Sequence, residues 1–247
     1  MAADLHPIVE IGTGYLFGGS ANGKWITAEK AAKSMKGRTA FRVFGLTQEV
    51  GKATGAKPKS VKAEACSDLL EVSLPSTPKG GEIALSAPWN ALPRKPRVAD
   101  PTEQVYVDAV RDFLKDRSVS DPKVKITRVL RVDLEGDGEE EVLINATNYF
   151  TKDNDVSSDT PPPGSHSIVL LRRMVAGKVE TEFVAGQVFP KDDDTPNVYE
   201  VPAVLDLNGD GKLEVIVHSR YYEGAATTIY DCSGGKCKDV LSVFCGL

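Results

Sequence analysis

Between Val204 and Val217 the chain reads VLDLNGDGKLEVIV. Oxygen-bearing side chains recur at Asp206, Asn208, Asp210 and Glu214, interrupted by Gly209 and Gly211 and framed by apolar, largely β-branched residues. Carboxylates crowded this closely repel one another, so the loop calls for a compensating cation. Ca2+ is bound by six to eight oxygens, from carboxylates and carbonyls, at roughly 2.3–2.6 Å. Oxygens at alternate positions can curl toward one centre, and glycine between them permits the bend. The expected ligands are the side chains of Asp206, Asn208, Asp210 and Glu214 and the carbonyl of Lys212.

The same spacing occurs earlier. VDLEGDGEEEVLINATNY (Val132–Tyr149) aligns without a gap on LDLNGDGKLEVIVHSRYY (Leu205–Tyr222). Asp133 falls on Asp206, Asp137 on Asp210, Glu141 on Glu214 and Tyr149 on Tyr222. Repetition with a period of several tens of residues marks stacked supersecondary units. The corresponding ligands are Asp133, Glu135, Asp137, Glu141 and the carbonyl of Glu139. Glu135 stands where the later loop has the shorter Asn208, so the earlier loop is expected to be the weaker site. An EF-hand is excluded, because it needs an acid at loop position 12 and helices on both sides. Here that position is Ile144 or Val217, inside an expected strand.

The pattern D-x-[DN]-G-D-G-x-x-[DE], entered and left by strands, resembles the calcium loops of FG-GAP/VCBS-type repeats, the blades of integrin-α-like β-propellers. The resemblance covers both loops and the strands after them and, more loosely, the strand order from about Lys123 onward. It does not reach the N-terminal part. It implies four-stranded antiparallel blades in which the loop joins the first two strands. Propellers generally have about four to eight blades, whereas two units are found here. Two blade-like sheets packed together, with a helix over one side, are therefore expected rather than a closed ring.

The surrounding elements follow from periodicity and punctuation. Strands are expected at 125–134 and 141–150, 167–174 and 179–189, 198–207 and 213–222, and 227–232 and 238–244, with hairpins at VAGK and SGGK. A helix is expected over Asp100–Arg117, with Pro101 in its first turn and an apolar stripe of Val105, Ala109, Phe113 and Leu114. Upstream, Asn22-Gly23 between apolar arms reads as a β-hairpin. A short helix should start at Thr27 and stop before Gly37. Further strands are expected within 40–55, 61–74 and 81–87. The segment Ser86–Pro101 carries Pro88, Pro93, Pro96 and Pro101 and cannot be regular throughout. The boundary is placed there, giving a small β-rich unit at 1–97 and the helix plus two loop-bearing units at 98–247. The expected fold class is mainly β with minor α: two four-stranded blade-like antiparallel units and a helix, preceded by a small α+β or β-barrel-like domain.

A net charge of −5 disfavours nonspecific nucleic-acid binding, which depends on basic surface. No apolar run reaches the ~20 residues of a membrane span. The N-terminus has neither an apolar signal core nor a transit-peptide bias. Cys232 and Cys237 bracket a tight SGGK turn, within reach of a disulfide, which leaves Cys66 and Cys245. Spacing alone leaves all three connectivities open; four buried thiols are the alternative, and zinc is disfavoured because no His lies near. Disulfides would place the protein in an oxidising compartment, secreted or periplasmic.

No catalytic set is expected. His166 lies between Ser165 and Ser167 without a Gly-x-Ser-x-Gly elbow, and His218 reads as structural. The glycosylation sequon at Asn145 falls in an expected strand, and the acidic stretches 152–159 and 191–196 read as solvated loops. Tyr221, Tyr222 and Tyr230 read as strand packing rather than a ligand platform. The function expected is that of a calcium-binding, non-catalytic binding, adhesion or accessory module for a protein or glycan ligand. The alternative is an extracytoplasmic hydrolase with calcium as a structural ion. A concave site with facing carboxylates away from the loops would favour it.

Overall fold

The computed structural model describes residues 4–149, 156, 159–189 and 195–246. Most of the two acidic stretches, and Phe150, lie outside them. The chain opens with β1 (His6–Glu10), β2 (Leu16–Ala21), β3 (Lys24–Thr27), α1 (Ala28–Ser34), β4 (Thr39–Phe44), β5 (Glu49–Gly55), β6 (Lys59–Ser60), β7 (Leu70–Glu71) and β8 (Ile83–Leu85). Six of these strands form an open antiparallel sheet in the order β3-β2-β1-β8-β4-β5, and β6 and β7 pair as a small ribbon. The Asn22-Gly23 turn joins β2 to β3 with positive φ at both residues, 51° and 70°, the geometry that matches strand twist.

The chain continues through β9 (Arg97–Ala99), α2 (Gln104–Lys115), β10 (Ile126–Val132), β11 (Glu141–Thr147), β12 (Ser165–Val175) and β13 (Lys178–Phe189). These strands form a five-stranded sheet, β13-β12-β11-β10-β9. The last sheet is a four-stranded meander of β14 (Val198–Leu205), β15 (Glu214–Tyr221), β16 (Gly224–Asp231) and β17 (Lys238–Gly246).

Burial stacks these sheets into five layers. On the outside, Ala31 and Met35 of the α1 region pack on Val9, Leu16, Phe41, Val43 and Ala84. The other face of that sheet, through Ile8, Phe17, Phe44 and Leu85, meets Ala203, Leu205, Ile216 and Val243 of the four-stranded sheet. The opposite face of the four-stranded sheet, through Val201, Val204, Val215 and Val217, meets Leu130, Val132, Val169 and Leu171. Finally α2 covers the outer face of the five-stranded sheet at Val129, Ile144, Ile168 and Leu170. The strands β14 and β15 lie in the middle layer and are buried on both faces. This explains their near-continuous apolar runs, which alternate between two cores rather than between core and water.

The mainly β fold with minor α is present, with these corrections. The N-terminal unit is an open sheet with a helix; among the described residues no sheet closes into a barrel. The first blade-like unit gains a fifth strand, β9, from the end of the proline-rich segment, so residue 97 lies inside a strand. Residues 61–74 form a 3-10 turn at Glu64–Cys66 and the two-residue β7 instead of one strand. α1 ends at Ser34, capped by Met35, short of Gly37. α2 buries Tyr106, Val110, Phe113 and Leu114, while Val105 is half exposed.

Disulfides join Cys66 to Cys245 and Cys232 to Cys237, with Cα separations of 5.2 Å and 3.9 Å. Among the described residues no helix is long and apolar enough to cross a membrane.

Candidate metal centre

Two loops, 133–140 after β10 and 206–213 after β14, share most of an internal hydrogen-bond pattern; they differ where the Asp137 N–H donates to Asp133 Oδ1 (3.2 Å) but the Asp210 N–H donates to Asn208 Oδ1 (2.9 Å). Asp133 accepts the N–H of Gly136 on Oδ1 (2.6 Å) and of Gly138 on Oδ2 (3.0 Å). Asp206 accepts those of Gly209 (2.7 Å) and Gly211 (3.1 Å) in the same way. Glu141 Oε2 accepts the N–H of Leu134, and Glu214 Oε2 that of Leu207, each at 2.7 Å. Asp137 and Asp210 accept the N–H groups of Glu139 (2.9 Å) and Lys212 (2.8 Å). Glu139 and Lys212 thus enter the network through their amides. The loops also touch directly, Leu213 N–H donating to the Leu134 carbonyl at 2.9 Å.

Residues 89–94 cross both loops. Trp89 Nε1 donates to the Asp206 carbonyl at 2.9 Å, and its ring lies over Gly209, where a Cβ would meet it at 3.2 Å. Arg94 takes the equivalent place on the other loop. Its Nε donates to the Asp133 carbonyl at 2.6 Å, and a Cβ on Gly136 would meet its guanidinium at 3.1 Å. Arg94 Nη2 further donates to the carbonyls of Leu134 (3.2 Å) and Gly211 (2.7 Å), bridging the loops. The Ala91 carbonyl accepts the Asp206 N–H. Neither Trp89 nor Arg94 stood out in the sequence. The only local signal was a tryptophan and an arginine set among prolines.

The electrostatics of the loops differ. Asp206, Asn208 and Glu214 are buried, whereas Asp210 is exposed. Burial raises the Asp206 carboxyl above its ordinary range. Burial, reinforced by Asp210 and Asp206, pushes Glu214 up to about 9. In the earlier loop burial raises Glu141. Asp133 is half-buried there, and Gly136 to Glu140 are exposed. Glu135 turns toward Arg173, with Nη1 to Oε1 at 3.7 Å, and Asp133 lies 3.8 Å from Arg94 Nε. Glu140 is drawn down to about 2, chiefly by Arg97 and then by Arg131.

The donor set contains only oxygen, which suits a hard cation such as Ca2+. In the later loop backbone N–H groups take both oxygens of Asp206 and one oxygen each of Asp210 and Glu214. The remaining oxygens of Asp210 (Oδ2) and Glu214 (Oε1) both face the Asn208 amide nitrogen, at 3.2 Å and 3.3 Å. As the side chains stand, no three His, Cys, Asp or Glu among the described residues gather closely enough to hold a metal ion.

Away from the loops, a cleft of about 460 Å3 opens between the six-stranded and four-stranded sheets, lined by Glu10, Glu82, Arg128, Glu200, His218 and Thr227. Thr227 donates to Glu10, and His218 Nδ1 lies 2.8 Å from the Thr227 hydroxyl. Partial burial, then Glu200 and Glu10, raises the Glu82 carboxyl.

The Ser165–Ser167 region is structural. Ser167 Oγ shares a hydrogen bond with Thr147 Oγ1 and accepts the Tyr199 N–H. His166 is fully buried, and burial holds its pKa below the ordinary value near 6.5. The unfolded chain then binds a proton that the folded chain does not. Stability from this group is complete above about pH 6.5 and is lost as pH falls below it, at up to about 1.4 kcal/mol per pH unit. Urea titrations of wild type and His166→Gln between pH 7.5 and about 5 should therefore show the wild type losing more stability; parallel curves would refute the assignment. Asn145 is 1% exposed, so the sequon is closed to glycosylation in the folded chain.

No family model, curated protein or solved structure matches the chain.

Proposed function

We propose that the protein is a secreted or periplasmic calcium-binding β-repeat protein, a non-catalytic binding, adhesion or accessory module whose loops are of the FG-GAP/VCBS type. One observation carries the reading. The later loop buries Asp206, Asn208 and Glu214 beside Asp210, and among the described residues none of its carboxylates has an ion-pair partner. Buried carboxylate charge is strongly unfavourable and is neutralised either by a proton, as at Glu214, or by an external cation. Rotation of the Asn208 amide would turn its oxygen toward the Asp210 and Glu214 oxygens that its nitrogen now faces, at the cost of the hydrogen bond it accepts from the Asp210 N–H (2.9 Å). The bound ion would then fix the β14–β15 connection rather than perform chemistry. The disulfides support an oxidising compartment. A protein or glycan is the expected ligand.

Extracellular calcium modules bind around 10⁻⁴–10⁻³ M. At about 10 mM calcium, mass action then stabilises the fold by roughly 1.4–2.7 kcal/mol, or about 3–10 °C in melting temperature. The Asp210→Ala variant should lose this increment. A wild type that melts at one temperature in calcium and in chelator would sink the proposal.

The cleft favours a second reading, an extracytoplasmic hydrolase with calcium as a structural ion. Glu82, its carboxyl raised, would serve as general acid beside Glu10 or Glu200 as base. A panel of glycoside, ester and peptide substrates tests it. Turnover abolished by both Glu82→Gln and Glu10→Gln would support it, and a silent panel would count against it.

A further inference from the structure

Strand β13, at 12 residues, ends the five-stranded sheet: it pairs with β12 on one side and with no described strand on the other. The two-residue turn at Ala176-Gly177, with φ of 49° and 78°, closes on the Val175–Lys178 pair. Counting from that pair, Lys178, Glu180 and Glu182 turn their N–H and C=O groups to β12, and Val179, Thr181 and Phe183 turn theirs outward. An open run of this kind is a template for a further strand. The other sheet edges are blunted. β3 and β9 are short, β5 and β14 carry register shifts, and β17 is tied down by the Cys66–Cys245 bond. Between Lys178 and Phe183, β13 has neither proline nor register shift. Val179 is 54% and Phe183 39% exposed, and Thr181 between them is exposed as well.

We propose that this edge is an interface between two copies of the chain, β13 pairing antiparallel with β13 of a second copy about a two-fold axis at Thr181. The self-complementarity of the edge selects this occupant. Its outward residues are symmetric about Thr181, so Val179 faces Phe183 of the second copy, Thr181 faces Thr181, and each facing pair exchanges both backbone hydrogen bonds. Aromatic–β-branched and Thr–Thr pairs are favourable cross-strand combinations. On the opposite face Glu180 meets Glu182 of the second copy. That like-charge contact is countered by Arg173, which holds Glu182, and by Lys178 on the diagonal. The far edge of the sheet is the three-residue β9, so assembly closes at two copies. A seam this short gives a concentration-dependent dimer rather than an obligate one. The proposal stands independently of the calcium reading.

Sedimentation velocity of the full chain from about 2 to 400 µM tests it. The wild type should pass from monomer toward twice that mass. Thr181→Lys sets like charges against each other at the axis and should stay monomeric. Thr181→Pro should do the same, because proline is tolerated on an edge strand whose N–H faces solvent, and both variants should melt close to wild type. Should Thr181→Pro unfold, Thr181→Lys, at an exposed position, decides. Added cysteines read the register, since the native ones are all in disulfides. Under mild oxidation Thr181→Cys should cross-link into a dimer, because the Cα separation of a hydrogen-bonded pair, about 5.5 Å, suits a disulfide. Val179→Cys should cross-link only when mixed with Phe183→Cys. A wild type that is monomeric throughout would overturn the proposal and leave the edge to a strand of another protein. A dimer that survives Thr181→Lys would place the interface elsewhere. Cross-linking of Val179→Cys alone, as readily as Thr181→Cys, would overturn the axis.

Discussion

Replacing Cys66 and Cys245 together by serine lowers the unfolding free energy by roughly 3–5 kcal/mol, more than any other paired cysteine change in this chain. The bond joins the 3-10 turn at Glu64–Cys66 to the final strand, across 179 residues of sequence. Loop-closure entropy lost from the unfolded chain rises with loop length, and a loop this long corresponds to roughly 5 kcal/mol in the chain-entropy model. Cys232 and Cys237 are separated by only 5 positions, for which the same relation gives roughly 2 kcal/mol. The native state adds to the asymmetry. β17 is an edge strand, paired on one side with β16, and it carries Val243 into the core beneath the six-stranded sheet. Without the distal bond, the end of β17 keeps only its ladder and its packing. Urea unfolding of Cys66→Ser/Cys245→Ser and of Cys232→Ser/Cys237→Ser measures the difference. Equal midpoints would mean that closure of the long loop is not what the distal bond contributes.

The second large effect is expected at Leu207. It follows Asp206 in the later loop, is fully buried, and belongs to the core between the six-stranded and four-stranded sheets. Its N–H donates to Glu214, and its carbonyl accepts from Ser20 Oγ at 2.9 Å. Truncating a buried leucine to alanine costs about 2–5 kcal/mol, as lost transfer energy plus a cavity. Leu207→Ala should fall in that range, because a neighbour collapsing into the gap would have to shift a sheet or the 206–213 loop. It should also shrink any calcium-dependent rise in melting temperature of the kind proposed above, since the residue that positions the Glu214 carboxylate has lost its anchor. Val98, on β9 and 64% exposed, is the matched control, and its alanine variant should change stability by no more than about 0.5 kcal/mol. A cost at Leu207 as small as that at Val98 would show that the loop is not fastened to this core.

Much of the secondary structure was readable because its signals are local. Asn-Gly at 22–23 specifies a turn whatever lies around it. The runs of β14 and β15, flanking a polar loop, mark strands buried on both faces. The loop residues stood out because oxygen at alternate positions inside a strand–turn–strand has few other uses. What failed depended on distant contacts. The α2 face is rotated from Val105 to Tyr106 because the sheet beneath accepts a tyrosine ring, and an apolar count scores that residue poorly. The segment 61–74 has strand-like composition, but most of it turns to bring Cys66 to Cys245. The crossing of Trp89 and Arg94 over loops far along the chain leaves no periodic trace. Nor does the pairing of Glu135 with Arg173, which turns an apparent ligand away from its loop.

The double burial of the four-stranded sheet has a kinetic side. The six-stranded sheet lies entirely in the first part of the chain, yet the surface bearing Ile8, Phe17, Phe44 and Leu85 is covered by strands synthesised last. During synthesis that apolar surface stays wet until Ile216, Ile229 and Val243 exist to cover it. Such non-local order makes folding slow and leaves intermediates prone to association. Completion at the C-terminus is thus what commits the N-terminal sheet, and a ribosome stalled before β17 would hold a sticky half-protein rather than a finished first domain.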